Sequence, residues 1–238
     1  MWKKLTDFPN QKVIGKTYKI IFWKIENNKI WHQWKKLTSA DTTSFEVYVD
    51  TDFIARDKDF IYHAWSKLKK IDRNTFKKAE GPYWKDKNHI YFEYETSFKP
   101  LKGLDAMSFV YLDNGYAYDK HFAYYYGRAI KTCKYPQSLE IVKANNLYAK
   151  DKENVYYDGG SLPNVDVATW QLLDNGYSKD KKRIYYAAKK LPRVDMDTWV
   201  HISNTYSKDI KRVYNMFWVE KDANPDDWDS EKVKQIKQ

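Results

Sequence analysis

The ten residues Tyr177-Ser-Lys-Asp-Lys-Lys-Arg-Ile-Tyr-Tyr186 decide the fold, because close copies of them occur on both sides in the chain. Tyr148-Ala-Lys-Asp-Lys-Glu-Asn-Val-Tyr-Tyr157 lies 29 residues earlier, and Tyr206-Ser-Lys-Asp-Ile-Lys-Arg-Val-Tyr-Asn215 lies 29 residues later. A segment that recurs at a fixed interval of about 20–50 residues indicates a repeat architecture.

The central acid of each segment is an anchor from which the rest of the chain can be aligned. Seven copies result, at spacings of 31, 29, 33, 32, 29 and 29 residues, and they cover nearly the whole of the 238-residue chain. The anchors are Glu26, Asp57, Asp86, Asp119, Asp151, Asp180 and Asp209. Five residues after the anchor, six of the seven copies carry tyrosine, although tyrosine makes up only 21 of the 238 residues. The pattern therefore reflects a structural repeat and not composition.

Each copy predicts a β-hairpin followed by a short capped turn. β-Branched and aromatic residues flank a polar turn, which is typical of strand, tight turn, strand. We expect the anchor acid to open this turn, with its carboxylate accepting hydrogen bonds from backbone N–H groups two or three residues on. Fifteen residues after the anchor a second acid often precedes Ser or Thr and a large aromatic residue, as in Asp72-Arg-Asn-Thr-Phe76. This pattern predicts an N-capped helical turn whose aromatic side chain enters the core.

These features predict a mainly β fold with short helical turns: an array of about seven β-hairpin repeats of ~30 residues, solenoid-like or a continuous meander. A closed propeller is the alternative, and it is less favoured because two strong strands per copy are fewer than the four of a usual blade. We expect residues 1–22 to be an N-terminal lead-in, 23–218 a single repeat domain, and 219–238 a C-terminal capping helix or tail.

Composition limits the class of protein. The 42 Lys+Arg against 32 Asp+Glu give a net charge of +10, which favours acidic partners through long-range attraction. The mean hydropathy is −0.84, and no apolar stretch approaches the ~20 residues of a transmembrane helix, so we expect no membrane insertion. The N-terminus lacks an apolar signal region, which favours a cytoplasmic location, or a periplasmic one if a leader has been removed.

Catalytic and metal-binding signatures are missing from the sequence. There is no Gly-x-Ser-x-Gly, no His-Glu-x-x-His and no Gly-rich phosphate loop, so we predict no enzyme activity and no cofactor. Each hairpin turn has one central acid beside lysines, unlike a calcium loop, and no metal is expected. His32 and His63 share the position six residues after the anchor. They form either a two-His metal or acid–base site or, as we prefer, part of an aromatic ladder.

The single cysteine, Cys133, excludes an internal disulfide and fits a reducing compartment. Lys131 and Lys134 lie close to it in the sequence, and positive charges of this kind lower the pKa of a thiol. No signature of a nucleophile surrounds it, so we interpret Cys133 as incidental to function.

The repeated segments resemble the bacterial DKNYY family, named for an Asp-Lys-Asn-Tyr-Tyr motif that occurs here as Asp151-Lys-Glu-Asn-Val-Tyr-Tyr157 and Asp180-Lys-Lys-Arg-Ile-Tyr-Tyr186. The resemblance is strong from about residue 83 to 214, weaker from 23 to 82, and absent from the final twenty residues. The first copy departs from it with Glu26 and Trp31. The resemblance implies a binding module without catalytic residues, and some such proteins are immunity proteins paired with secreted toxins.

We therefore predict a non-catalytic protein-binding module, specifically an immunity protein that neutralises a cognate toxin, an acidic protein, by direct binding. A nucleic-acid-binding protein that uses basic and aromatic residues is the first alternative. An envelope-associated structural repeat protein is the second.

The partner-binding patch is predicted where the repeat is interrupted, because insertions in repeat proteins form loops that often face ligands. One interruption is the insertion Glu93 to Leu104, and the other is the linker Gly127 to Ser138. The basic residues that they carry are Lys99, Lys102, Arg128, Lys131 and Lys134.

Overall fold

The computed structural model describes residues 1–15, 19–94 and 97–229. Over these residues each copy forms its own antiparallel sheet, and the strands of a sheet follow one another in sequence order. Six of the sheets have four strands and one has five. The predicted mainly β repeat meander is confirmed.

The predicted number of strands per copy was wrong. Each copy has four strands and not two, because a short outer strand of two to four residues flanks the central hairpin on each side. Several outer strands are pairs of lysines, such as Lys35–Lys36 and Lys189–Lys190, which have no apolar alternation to predict a strand. The number of strands per copy thus gives no reason to prefer an array over a propeller.

Contacts divide the chain into two compact units, Met1–Ala106 and Met107–Gln238. The first unit contains copies 1 to 3, with two 3-10 helices at Leu5–Asp7 and Pro9–Gln11. Its described strands are β1 (Trp2–Lys4), β2 (Lys12–Ile14), β3 (Ile21–Glu26), β4 (Lys29–His32), β5 (Lys35–Lys36), β6 (Glu46–Tyr48), β7 (Ile54–Arg56), β8 (Ile61–His63), β9 (Ser66–Leu68), β10 (Lys77–Lys78), β11 (Tyr83–Lys85), β12 (Ile90–Tyr94) and β13 (Ser97–Pro100). Copy 1 is β2–β5, copy 2 is β6–β9 with β1 added at its edge, and copy 3 is β10–β13.

The second unit contains copies 4 to 7, with 3-10 helices at Pro136–Ser138 and Pro225–Asp227. Its described strands are β14 (Val110–Asp113), β15 (Tyr116–Tyr118), β16 (Ala123–Tyr125), β17 (Arg128–Ala129), β18 (Glu140–Ile141), β19 (Tyr148–Lys150), β20 (Val155–Tyr157), β21 (Gly160–Ser161), β22 (Gln171–Leu172), β23 (Tyr177–Lys179), β24 (Ile184–Tyr186), β25 (Lys189–Lys190), β26 (Val200–Ser203), β27 (Tyr206–Lys208), β28 (Val213–Asn215) and β29 (Trp218–Val219). Of the predicted C-terminal capping helix or tail over 219–238, the described residues up to 229 contain the 3-10 helix Pro225–Asp227, and residues 230–238 lie outside the described residues. The single repeat domain over 23–218 stays a prediction.

The N-terminal lead-in is part of the first unit's fold. Strand β1 pairs antiparallel with β6, so that Trp2 faces Tyr48 and Lys4 faces Glu46. Leu5 follows it, fully buried, and donates its backbone N–H to the carbonyl of Phe45 at 3.0 Å. The first residues of the chain therefore add an edge strand to the second copy and not to the first.

The core of each unit lies between successive copies. In the first unit, Trp23 and Ile30 of copy 1 pack in one cluster with Phe45 and Tyr62. In the second unit, Tyr177 and Ile184 pack with Tyr214 of the next copy. Because the conserved repeat positions fill these clusters, a single copy cannot bury its aromatic face without a neighbour.

Tyrosines three residues before the anchor also join the copies of the second unit by hydrogen bonds. The hydroxyl of Tyr116 donates to the carbonyl of Leu147 at 3.0 Å, and that of Tyr148 donates to the carbonyl of Gly176 at 3.2 Å. Tyr177 donates in the same way to the carbonyl of Thr205. These bonds end on backbone groups just before the next hairpin, so they fix the spacing between copies.

The anchor acid opens the hairpin turn as predicted. In the second copy, one carboxylate oxygen of Asp57 accepts hydrogen bonds from the backbone N–H groups of Asp59 at 2.8 Å and Phe60 at 2.7 Å. The other oxygen accepts from the hydroxyl of Tyr62 at 2.7 Å and from the backbone N–H of Asp41 at 3.1 Å. The buried carboxylate thus joins its own hairpin to the preceding capped turn.

The capped turns are mostly single turns without a helix. The Asp41 carboxylate accepts the backbone N–H of Ser44 at 2.9 Å, and Asp72 accepts that of Thr75 at 3.0 Å. The aromatic residue that follows is buried in both places, as Phe45 and Phe76. The acid is therefore a cap, as predicted, and the turn places an aromatic ring into the core.

Candidate functional site

A groove with a volume of about 470 Å³ opens between copies 1 and 2 of the first unit. Its described lining is mainly aromatic and comes from equivalent positions of the two copies. The residues that define it are Phe22, His32, Trp34, Phe53, His63 and Trp65. We refer to this site as the aromatic groove.

The two tryptophans of the groove lie in the two-residue turns that join the third and fourth strands of their copies. Gln33 and Ala64 precede them with φ of 54° and 50°, which gives the tight reversal. The tryptophan side chains project outward, and Trp34 is 76% exposed while Trp65 is 41% exposed. Both lie eight residues after their anchor.

The fold does not require an aromatic residue at this turn position. The equivalent residues of copies 4 and 5 are Gly127 and Gly159, each with φ of 74°, a conformation in which glycine is favoured. Copy 6 has Ala188 there. The turn therefore forms with a small residue, and the exposed tryptophans of the first unit contribute nothing that the hairpin needs.

The two histidines are buried at the base of the groove. His32 places Nε2 at 3.3 Å from the backbone carbonyl oxygen of Asp52, and since a carbonyl can only accept, Nε2 carries the hydrogen. Burial lowers the pKa of His32 to about 4, an effect that this hydrogen bond partly opposes. The imidazole is therefore neutral at pH 7, and its Nδ1 is an unprotonated acceptor without a partner among the described residues.

His63 has the same character in the next copy. Burial lowers its pKa, while the nearby carboxylate of Glu93 and a hydrogen bond to the backbone of Tyr94 act in the opposite direction. Its Nε2 has no hydrogen-bond partner among the described residues. The hydrogen bond to Tyr94 thus involves Nδ1, and in the neutral imidazole it selects the tautomer in which Nε2 is an acceptor.

Phe53 lies beside both imidazoles, with ring centroids 5.8 Å from His32 and 5.8 Å from His63. His32 also packs edge-on against Trp23 at 4.5 Å, and His63 packs against Phe98 at 5.6 Å. The histidines thus belong to a ladder of aromatic rings. Over residues 1–15, 19–94 and 97–229, no three His, Cys, Asp or Glu side chains are grouped so as to hold a metal ion.

The basic residues predicted to bind a partner are all exposed, two in the first unit and three in the second. Lys99 lies on β13 opposite Phe92, and Lys102 lies in the turn that follows. The insertion that carries them is mostly the lengthened hairpin β12–β13 and not a loop; its residues 95 and 96 lie outside the described residues. The structure places both cations on the surface, and their role stays a prediction.

In the second unit, Arg128 lies on β17 opposite Tyr125, and Lys131 follows in the connecting turn. Lys134 forms an ion pair with Glu153, with Nζ 3.3 Å from the carboxylate oxygen. All three side chains are exposed within one short segment. An exposed pair of this kind is worth little in stability, so these cations contribute mainly to the surface charge.

The thiol of Cys133 is buried, and the expected effect of its neighbouring lysines is wrong. Burial and a hydrogen bond to the Asp151 carboxylate raise the pKa of Cys133 to about 12. The thiol is therefore protonated at neutral pH and packs in the core between copies 4 and 5. Such a thiol is a poor nucleophile.

Sequence reasoning missed the aromatic groove because it sorted the aromatic residues by their most regular columns. The signal lies in an irregular column, eight residues after the anchor, where Trp34, Trp65 and Tyr94 of the first unit contrast with Gly127, Gly159 and Ala188 of copies 4 to 6, while copy 7 has Phe217. A large residue at a position where other copies have glycine indicates a requirement that the fold does not impose.

The described part of the chain has no helix long and apolar enough to cross a membrane. Comparison with curated proteins and with solved structures gave no match. A family model described as the DKNYY family matches residues 3–96 and, overlapping them, residues 83–216. The two matches include all seven anchor acids, from Glu26 to Asp209. The chain therefore belongs to the DKNYY family.

Proposed function

We propose that this repeat protein is a non-catalytic module that binds a protein partner through the aromatic groove and the exposed turns around it. One observation carries the proposal: Trp34 and Trp65 are exposed at a turn position where copies 4 to 6 have Gly127, Gly159 and Ala188, although copies 3 and 7 also have an aromatic residue there, Tyr94 and Phe217. Tryptophan, tyrosine and arginine supply most of the binding energy at protein interfaces. An exposed tryptophan that the fold does not need is best explained by a contact with another molecule.

Charge favours an acidic partner. The Nζ of Lys35 lies 4.8 Å from the centre of the Trp65 ring, so a cation borders the groove. The chain as a whole carries a net charge of +10, which attracts an acidic protein over a distance and accelerates its capture. The predicted cations Lys99 and Lys102 belong to the same unit as the groove and add to this charge.

The absence of catalysis is part of the proposal and has support from the ionisable groups of the repeat. The buried anchor acids are occupied by hydrogen bonds to backbone N–H groups and tyrosine hydroxyls, as Asp57 and Asp180 are. The Cys133 thiol is buried and has a raised pKa. These groups stabilise the fold, which leaves binding as the activity that the surface supports best.

The specific form of the proposal is an immunity protein that acts in the cytoplasm by covering the active surface of a cognate toxin. It rests on the family resemblance, and variation between copies would set the specificity.

A growth assay tests this form: cells that express a toxin-like protein from a neighbouring reading frame should grow when this chain is co-expressed. The double variant W34S/W65S should fail to restore growth while its circular dichroism stays unchanged. W218S is the matched control, because Trp218 is also exposed, at 67%, but lies in the second unit.

Each outcome of the assay separates the hypotheses. If the wild-type chain gives no protection, the immunity role is wrong. If W34S/W65S protects as well as the wild type, the aromatic groove is not the binding surface. A separate mobility-shift experiment tests the nucleic-acid alternative. If the purified chain binds single-stranded DNA at low salt and its affinity falls steeply as salt is added, nucleic-acid binding replaces protein binding as the proposed function.

A further inference from the structure

We infer that the aromatic groove receives an aromatic side chain that carries a hydrogen-bond donor, a tyrosine, from an acidic segment of the protein partner. This inference rests on the proposed function and specifies what its binding site recognises.

The lining of the groove suits an aromatic ring, and the groove is larger than one ring, so it has room for neighbouring residues of the partner. Its volume of about 470 Å³ falls in the range of about 300–1,000 Å³ that ligand sites occupy. Phe22 and Phe53 form apolar walls, and Trp34 and Trp65 stand at the mouth with their indole rings partly exposed. Rings that enter such a site pack edge-on or offset against the rings already there.

The polar groups at the base specify a donor. His32 donates from Nε2 to the Asp52 carbonyl, so its Nδ1 can only accept. His63 bonds to the backbone of Tyr94, and its Nε2 has no partner among the described residues. An unpaired buried acceptor is destabilising, and a ligand hydroxyl that reaches it recovers part of that loss.

The same groups exclude other ligand classes. The oxygens of a carboxylate only accept hydrogen bonds, and they would face the unprotonated imidazole nitrogens, which also only accept. The two histidines therefore offer a carboxylate no donor at the base of the groove. An ammonium group would have to leave water for an apolar groove in a chain of net charge +10. A phenol combines a flat apolar body with one O–H group, and this is the combination that the lining offers to bind.

Access to the nitrogens requires movement at the mouth. Both nitrogens are covered from solvent, and the Trp65 ring lies 6.0 Å from the His32 ring. Trp34 is largely exposed and its side chain can rotate freely, whereas rotation of Trp65 gives up its contacts with His32 and Lys35. The incoming ring would displace them and then pack against them.

Two capped amino acids that differ by one hydroxyl test the inference at pH 7. N-acetyl-L-tyrosinamide and N-acetyl-L-phenylalaninamide are titrated into the full chain, and the indole N–H signals of the tryptophans are followed by NMR. We expect the tyrosine amide to bind about 5-fold or more tightly, which is the ratio that a net hydrogen bond of about 1 kcal/mol gives. The variant W65S should weaken both amides.

The variant H63F identifies the acceptor. Phenylalanine occupies this column in copy 3 as Phe92, so the fold accommodates it. H63F should bring the two amides to equal affinity, and H32F is the second variant if His32 is the acceptor instead. Equal affinity in the wild type, or a difference that survives both variants, would overturn the hydroxyl recognition.

Failure of both amides to bind would overturn the inference altogether. The proposed function could still hold after that result, because the loss of protection in W34S/W65S does not depend on which side chain the partner inserts.

Discussion

The hydroxyl of Tyr62 donates a 2.7 Å hydrogen bond to the carboxylate of Asp57, five residues earlier in the same hairpin. The same pairing recurs in every later copy, at 2.7 to 3.2 Å, in the pairs Tyr91–Asp86, Tyr124–Asp119, Tyr156–Asp151, Tyr185–Asp180 and Tyr214–Asp209. A buried carboxylate is costly unless its oxygens are hydrogen-bonded, and here the turn and the tyrosine together provide the donors. This pairing explains why the motif couples an aspartate to a tyrosine at a fixed spacing.

The anchor acids make the fold sensitive to acid. Burial alone would raise the pKa of Asp57 and Asp180, but hydrogen bonds from backbone N–H groups and from a tyrosine hydroxyl outweigh it and hold each pKa below its usual range. The same holds for Asp86 and Asp209. The unfolded chain therefore binds protons at about pH 4, where the folded chain still resists them.

The contribution of the anchor acids to the free energy of unfolding is complete above about pH 4. It is lost as the pH falls through their lower pKa values in the folded state. Urea unfolding at pH 6 and at pH 3 should show a lower midpoint at pH 3. The variant Y62F should depend less on pH than the wild type. A midpoint that stays constant over this range would contradict the assignment.

The hydrogen bonds between copies of the second unit should contribute measurably to its stability. Replacing Tyr148 by Phe removes the hydroxyl that reaches the Gly176 carbonyl and leaves the ring in place. We expect a loss of about 0.5–1.5 kcal/mol in the free energy of unfolding, because one hydrogen bond to the Gly176 carbonyl is lost while the bond from the backbone N–H of Ala187 remains. Y94F, at an exposed tyrosine, is the control and should be nearly silent. Equal losses in both variants would rule out the coupling between copies.

Trp23 and Trp34 of copy 1 should differ strongly in their contribution to the stability of the fold. Trp23 is fully buried in the core between copies 1 and 2, so W23A should cost about 3–5 kcal/mol in the free energy of unfolding. Trp34 is exposed, and W34A should stay within about 0.5 kcal/mol of the wild type. Chemical denaturation of both variants checks this, and a large loss in W34A would assign that residue to the fold.

Cys133 should be unreactive in the folded chain. Its thiol is buried and its pKa is raised to about 12, so very little thiolate exists at pH 8. We expect alkylation with iodoacetamide at pH 8, followed by mass spectrometry, to be slow in buffer and rapid in urea. Rapid modification of the folded chain would show that the segment around Cys133 opens readily.

Charge reversal tests the basic patch predicted from the interruptions of the repeat. K99E/K102E in the first unit and R128E/K131E in the second should each weaken the complex with an acidic partner without a change in circular dichroism. K189E/K190E is the control, since these exposed lysines lie in a regular copy. If one of these double variants binds the partner as tightly as the wild type, the two residues that it replaces do not lie at the interface.

The sequence predicted the parts of the fold that repeat in every copy. The turn acids, the hairpins and the capped turns each depend on a local pattern of a few residues, as with Asp57 and Phe60, and such patterns are readable one copy at a time. The outer strands were missed because their pairing depends on the neighbouring strand and not on their own residues, as with Lys189 and Lys190 beside β24.

The aromatic groove was not predicted because it arises between two copies. His32 and His63 were placed in one column from the sequence, but their burial depends on Phe53 and on the two tryptophans at the mouth. No single motif contains these residues.

Strand β1 has a consequence for the way the first unit comes apart. Repeat arrays open most easily at their ends, where a terminal copy has a neighbour on one side only. Here the chain begins by pairing with β6 of the second copy, so the whole of copy 1 is a closed loop between two strands of one sheet. Copy 1 is therefore tied at both of its ends to the sheet of the second copy, and the exposed tryptophan at its turn lies on a segment that this sheet holds on either side.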